Sequence, residues 1–131
     1  MVQQLGGLLA GAGYAIICGG LGGVMEAVCR GASEKNGLTI GILPGDNARD
    51  ANPYVQIVIP SGMGSGRNLL IIRSSDAVIA VNGGYGTLSE IAFALQLEKP
   101  LIGLNTWQVS EKIIAVHSPE EALEALLNQL G

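Results

Sequence analysis

Charge is what this sequence has least of. Only 14% of its 131 residues are charged, against about a quarter in an ordinary soluble domain. Seven basic side chains face eleven acidic ones, a net charge of −4. That balance excludes general nucleic-acid binding, which needs Lys and Arg clustered along one face. Cysteine is limited to Cys18 and Cys29. Two residues make no disulfide framework and show no metal-ligand spacing, so they read as structural thiols in a reducing compartment. Histidine occurs once, as His117, and neither a zinc cluster nor a Ser-His-Asp triad assembles without it. Its place after an apolar stretch gives it a capping or surface role. Long apolar runs are missing too. The segments 69–72 and 77–81 stop at charge or glycine, far below the about 18 residues of a membrane span. No N-terminal segment joins basic residues to an apolar core and a cleavage site, so the expected compartment is the cytoplasm. Disorder is excluded by the 48% apolar content and a mean hydropathy of +0.41, because disordered chains combine low hydrophobicity with high net charge. The length suits one domain, residues 1–131.

What is abundant is glycine, at 20 residues. Between the glycines, short apolar runs alternate with segments of helical spacing. Helices are predicted over 3–12 (stopped by Gly13), 24–35, 67–74, 87–98 and from Ser118 onward. Strands are predicted over 15–18, 38–43, 56–59, 77–81, 100–104 and 113–116. Ser118-Pro119-Glu120-Glu121 is a helix start with serine at the N-cap, proline at the first position and acids in the first turn. This alternation points to an α/β doubly wound, Rossmann-like fold, with a mainly parallel sheet covered by helices on both faces. Such sheets bind ligands beyond the carboxyl ends of their strands, where this chain places its glycines. The chain opens on a helix where such a domain opens on a strand. The first strand is therefore expected to be missing or to lie upstream of Met1, leaving the sheet to close the gap or borrow a strand.

Three strand–glycine–helix segments carry candidate chemistry. The first runs Val81-Asn82-Gly83-Gly84-Tyr85-Gly86-Thr87-Leu88-Ser89-Glu90. Glycines let a ligand approach the backbone, and a helix N-terminus presents N–H groups and a partial positive charge to a phosphate. Thr87 adds a hydroxyl. Glu90, three residues after Thr87, also fits a capping box, so it has two readings, cap and functional carboxylate. The second segment is Cys18-Gly19-Gly20-Leu21-Gly22-Gly23-Val24-Met25-Glu26. It departs from the dinucleotide fingerprint and reads either as a tight turn or as backbone lining of a pocket. In the third, Ser61–Asn68, Arg67 and Asn68 follow a glycine loop. An arginine at a helix start opposes the helix dipole, which favours a fork to phosphate or carboxylate over a solvated charge. Arg73 is expected in solvent or paired with Asp76. Asp46 reads as a turn residue or a ligand contact.

Together these segments resemble the Lonely-guy (LOG) or "lysine decarboxylase-like" superfamily. Its hallmark is Pro-Gly-Gly-x-Gly-Thr-x-x-Glu, which Asn82 to Glu90 matches with Asn82 in place of proline. The likeness is greatest to the branch of molybdenum-cofactor carrier proteins, through Gly19–Glu26, Gly41–Gly45, Gly66–Asn68 and Gly83–Glu90. The resemblance implies a Rossmann-like fold, usually a homodimer or larger homo-oligomer, holding a phosphorylated ligand at the glycine turns. It places that ligand at Gly19, Gly20, Gly22, Gly23, Arg67, Asn68, Gly83, Gly84, Tyr85, Gly86, Thr87 and Glu90. In a carrier, the ligand is a molybdenum cofactor or other pterin phosphate, or a nucleotide, bound without reaction. In the family's enzymes Glu90 and Arg67 would instead serve a phosphoribohydrolase, which cleaves nucleoside 5′-monophosphates to base and ribose 5-phosphate through an oxocarbenium-like state that a carboxylate stabilises. The expectation leans to carrier-like binding. It includes no required cofactor, no metal, no nucleic acid and no membrane. Weakly charged apolar helices add an expectation of self-association.

Overall fold

Strands and helices alternate along the whole chain, as the apolar runs and glycine breaks require. The computed structural model describes residues 1–131. In order they form α1 (Val2–Gly11), β1 (Ile16–Cys18), α2 (Val24–Ser33), β2 (Thr39–Leu43), β3 (Ile57–Pro60), α3 (Arg67–Arg73), β4 (Val78–Val81), α4 (Tyr85–Gln96), β5 (Leu101–Leu104), β6 (Ile114–Val116) and α5 (Pro119–Leu130). All strand pairings are parallel, which is the expected α/β, Rossmann-like arrangement. The strands divide into two three-stranded sheets, ordered β1-β2-β3 and β4-β5-β6. The chain likewise divides into two compact units, Met1–Arg67 and Asn68–Gly131.

In the first unit the sheet register sets Ile16 beside Thr39 and Ile40 beside Ile57. Leu5 and Leu9 of α1, Cys29 and Ala32 of α2, and Ile42 and Leu43 of β2 are buried. Helices α1 and α2 touch backbone to backbone. A methyl group on Gly31 would overlap the Gln3 carbonyl oxygen and stand 2.7 Å from its carbon, and one on Gly6 would meet the Val28 carbonyl in the same way. Glycine is thus the only residue that fits at either crossing point. The one fully buried hydroxyl of this unit, on Thr39, donates to the Tyr54 carbonyl at 2.7 Å and accepts from the Gln56 N–H at 3.0 Å. It satisfies its own polarity and pins the connection between β2 and β3.

In the second unit the core comprises Ile71 and Ile72 of α3, Val78 and Ala80 of β4, Ile91 and Ala94 of α4, the whole of β5, and Ala122 and Leu126 of α5. Helix α5 begins as its sequence demands: the Ser118 hydroxyl accepts from the Glu121 N–H at 3.1 Å, with Pro119 next in line. His117 is exposed, and its backbone N–H donates to the Glu121 carboxylate at 2.7 Å. Helix α4 departs from expectation. It starts at Tyr85, not Thr87, with Gly84 as its N-cap. Asn82 takes a left-handed conformation (φ 60°), Gly84 is extended, and the Leu88 N–H already bonds the Gly84 carbonyl at 3.0 Å. Thr87 therefore lies inside the first turn, and the expected Thr87–Glu90 capping box does not form. No helix is long and apolar enough to cross a membrane.

Candidate functional site

In the first unit, β1 runs into Gly19 and Gly20, which are buried, and then into exposed Gly22 and Gly23. Gly20 and Gly23 have positive φ values of 77° and 67°, open to glycine at little cost. Gly23 is the N-cap of α2, which no side chain caps. The Arg67 side chain crosses the carboxyl ends of β1 and β2. Its Nε donates to the Ile42 carbonyl at 3.1 Å, and a methyl on Gly19 would come within 2.6 Å of its Nη2. The absence of a Gly19 side chain thus makes room for the guanidinium. Arg67 is half-buried, whereas Arg73 is exposed and forms no ion pair with Asp76. Asp46 is exposed on its turn.

The glycine turn is held from behind by Asn52, a buried residue that sequence reasoning passed over. Its N–H donates to the Gly20 carbonyl at 2.8 Å, its Nδ2 to the Leu21 carbonyl at 2.9 Å, and its Oδ1 accepts from the Tyr54 N–H at 3.0 Å. The same turn is tied to the two cysteines. Both are free thiols with sulfurs 3.6 Å apart, and the Gly20 N–H reaches the Cys18 sulfur at 3.4 Å. The hydrogen bond with Cys18, reinforced by burial, pushes the Cys29 thiol well above its ordinary range, while Asn52 opposes the shift. Cys29 therefore stays a neutral thiol at neutral pH, and iodoacetamide is expected to leave it unmodified in the native protein. In an unfolded chain it ionises at about pH 8.5. The unfolded state then sheds a proton that the folded state keeps, so stability is full below that pH and falls as pH rises past it. A melting-temperature profile that declines less steeply above pH 9 in Cys29→Ala than in wild type checks this. Equal slopes contradict it.

In the second unit, β4 ends at Val81 and the chain turns through Asn82 and Gly83 to the Gly84 cap. Gly83, Gly84, Tyr85 and Gly86 are all exposed, Tyr85 at 86%. No side chain caps α4. The first N–H groups of a helix have no partners within it, so those of Tyr85, Gly86 and Thr87 stand beyond the carboxyl end of β4 with the positive end of the helix dipole. Thr87 is half-buried in the same turn, and Glu90 is half-buried one turn further along. Asn68 lies behind this turn as a brace. It is 5% exposed, and its Nδ2 donates to the Ser89 hydroxyl at 3.0 Å, which donates to the Gly86 carbonyl at 2.7 Å. Two further residues, Thr106 and Trp107, escaped sequence reasoning. The Thr106 hydroxyl donates to the Asn82 carbonyl, and the Trp107 indole N–H donates to the Gly84 carbonyl at 3.2 Å. Their only signal in sequence is a position just past β5, at a strand's carboxyl end.

The sequence and the fold have counterparts among known proteins. Over 124 residues, 94% of the chain and 81% of the relative, the sequence is 46% identical to an uncharacterised protein of Archaeoglobus fulgidus. The molybdenum cofactor binding protein of the phototrophic bacterium Rippkaea orientalis superposes with a TM-score of 0.94 at 38% identity, over 99% of this chain and 86% of that one. The molybdenum cofactor carrier protein of Chlamydomonas reinhardtii gives a TM-score of 0.91 at 32% identity, again over 99% and 86%. Residues 1–129 match the model of the SLOG cluster4 family. The glycine turns, the parallel α/β architecture and this match along the chain lead to one assignment: the chain belongs to the SLOG cluster4 family.

Proposed function

We propose that this chain binds a phosphorylated small molecule in a carrier-like way, a molybdenum cofactor or a nucleotide, with its phosphoryl group on the backbone N–H groups of residues 83–87. The observation that carries this reading is the exposed, uncapped first turn of α4, preceded by two glycines that leave its backbone open to a ligand. An anion there takes the place of the missing cap and meets the helix dipole. In the first unit Arg67, held beside Gly19, is the cationic group for the same class of anion, since guanidinium forks match phosphate oxygens. The names of the Rippkaea and Chlamydomonas proteins support molybdenum cofactor as the ligand.

A second reading keeps Glu90 as a catalytic carboxylate. It is favoured by one finding: α4 has no side-chain cap, so Glu90 does not fill the capping-box role that its spacing from Thr87 suggests. In a phosphoribohydrolase it would orient water and stabilise positive charge at the sugar carbon. Calorimetric titration with purified molybdenum cofactor and with AMP, run beside an assay for adenine release, separates the readings. Saturable binding without adenine release is expected. Adenine release lost in Glu90→Gln would make the protein a hydrolase, and no binding of either ligand would contradict both.

A further inference from the structure

We infer that Thr106 and Trp107 are positioning residues that aim the phosphate-binding turn, an inference that rests on the proposed ligand reading. The chain after β5 turns through Asn105, which is left-handed at φ 53°, as the chain after β4 turns through left-handed Asn82 at φ 60°. The two turns are fastened together at three points. The Asn82 N–H donates to the Leu104 carbonyl at 3.2 Å. The Asn82 carbonyl accepts from the Thr106 hydroxyl. The Gly84 carbonyl accepts from the Trp107 indole at 3.2 Å while also closing the first helical bond of α4 from Leu88.

These bonds fix the orientation of peptide planes as well as the position of the turn. Every peptide here is trans, so the N–H of each unit points opposite to its carbonyl. With the Asn82 carbonyl turned to Thr106, the Gly83 N–H points away from it. With the Gly84 carbonyl turned to Trp107, the Tyr85 N–H points away as well. Both carbonyls face one segment, so both N–H groups are turned to the side away from that segment. Backbone donors left open in this way are the elements of an anion-binding nest. Without the latch, rotation of the Asn82–Gly83 peptide plane presents a carbonyl oxygen to the anion, and the Gly84–Tyr85 plane keeps only its helical bond from Leu88. The indole also lies against Gly83, where a methyl group would come within 3.5 Å of Nε1. The indole therefore packs directly on the turn, and a ligand that moves the turn moves the indole.

Trp107 is the only tryptophan of the chain, so its fluorescence reports this turn alone. AMP and inorganic phosphate are the probes, titrated into wild type, Thr106→Val, Thr106→Ser and Trp107→Phe, with calorimetry for all four. Wild-type fluorescence is expected to change on AMP addition. Thr106→Val, which keeps shape but loses the donor, and Trp107→Phe, which stays aromatic but loses the indole N–H, are each expected to weaken AMP about 10-fold. Thr106→Ser, which keeps the hydroxyl, is expected to bind within about 2-fold of wild type, the rescue that a purely packing role would not produce. Wild type that binds AMP while both donor-free variants bind equally well overturns the positioning role and leaves the ligand reading standing. Wild type that binds neither AMP nor phosphate overturns the reading of this turn as a phosphoryl site for nucleotides, and the positioning role with it.

Discussion

Gly31→Ala is expected to lower the stability of the protein by about 3 kcal/mol or more, at the top of the range for overpacking. The new methyl overlaps the carbonyl oxygen of Gln3 and stands 2.7 Å from the Gln3 carbonyl carbon and 3.0 Å from the Gly7 nitrogen. All three atoms are backbone, so no rotamer change relieves the clash and α1 has to move off α2. Such a shift uncovers Leu5 and Cys29, which are 1% and 0% exposed. Opposing this is the intrinsic advantage of alanine over glycine inside a helix, about 1 kcal/mol, which is too small to change the sign. Gly11→Ala is the control. It lies in α1 with nothing within 4 Å of its would-be methyl, so only the propensity gain remains, and stability should rise by a few tenths to about 1 kcal/mol. Thermal unfolding should show Gly31→Ala melting roughly 10 °C or more below wild type and Gly11→Ala slightly above it. A Gly31→Ala protein as stable as wild type would show that the two helices do not meet at this crossing.

Gly19→Ala is expected to cost ligand affinity with little loss of stability. Its methyl would come within 2.6 Å of Arg67 Nη2 and 2.8 Å of the Met25 sulfur. Both are the far ends of flexible side chains, and Gly19 does not have a positive φ, so the backbone tolerates alanine. What yields is the guanidinium, together with the 3.1 Å bond from Nε to the Ile42 carbonyl. With Arg67 as an anion-binding group beside Gly19, its displacement removes a charge-assisted hydrogen bond, and inorganic phosphate should bind there roughly 10- to 100-fold more weakly. Arg67→Gln should lose a similar amount. Calorimetry on both variants, with melting temperatures beside it, is the check. A Gly19→Ala protein that keeps wild-type affinity while Arg67→Gln loses it would mean that the guanidinium acts from another position.

The elements were legible in the sequence because each carries its own local signal. The apolar runs of β2 and β5, the stop at Gly13 with its φ of 90° and the Ser118-Pro119 start of α5 all depend on neighbours in sequence. The two glycine turns were legible as well, since a strand that runs into glycines and then a helix is a local pattern. The start of α4 was not. Capping preference ranks threonine and glycine alike, so local rules place the cap as readily at Thr87 as at Gly84. Contacts from 23 and 24 residues away, made by Trp107 and Thr106, hold the turn that puts it at Gly84. Asn52 grips Leu21 from 31 residues away, and such a pairing has no period to read. The division of the strands into two sheets is also a matter of long-range pairing, invisible to apolar runs that look alike whichever neighbour they take.

The most direct test of the proposed phosphate binding at residues 83–87 is a titration of AMP into isotope-labelled protein followed through its backbone amide resonances. The amides of Gly83, Gly84, Tyr85, Gly86 and Thr87 should shift progressively and to saturation, those of Gly83 and Tyr85 most. They should shift in the same direction with inorganic phosphate at higher concentration. Saturable shifts elsewhere in the chain, with these five amides unmoved, would contradict the account.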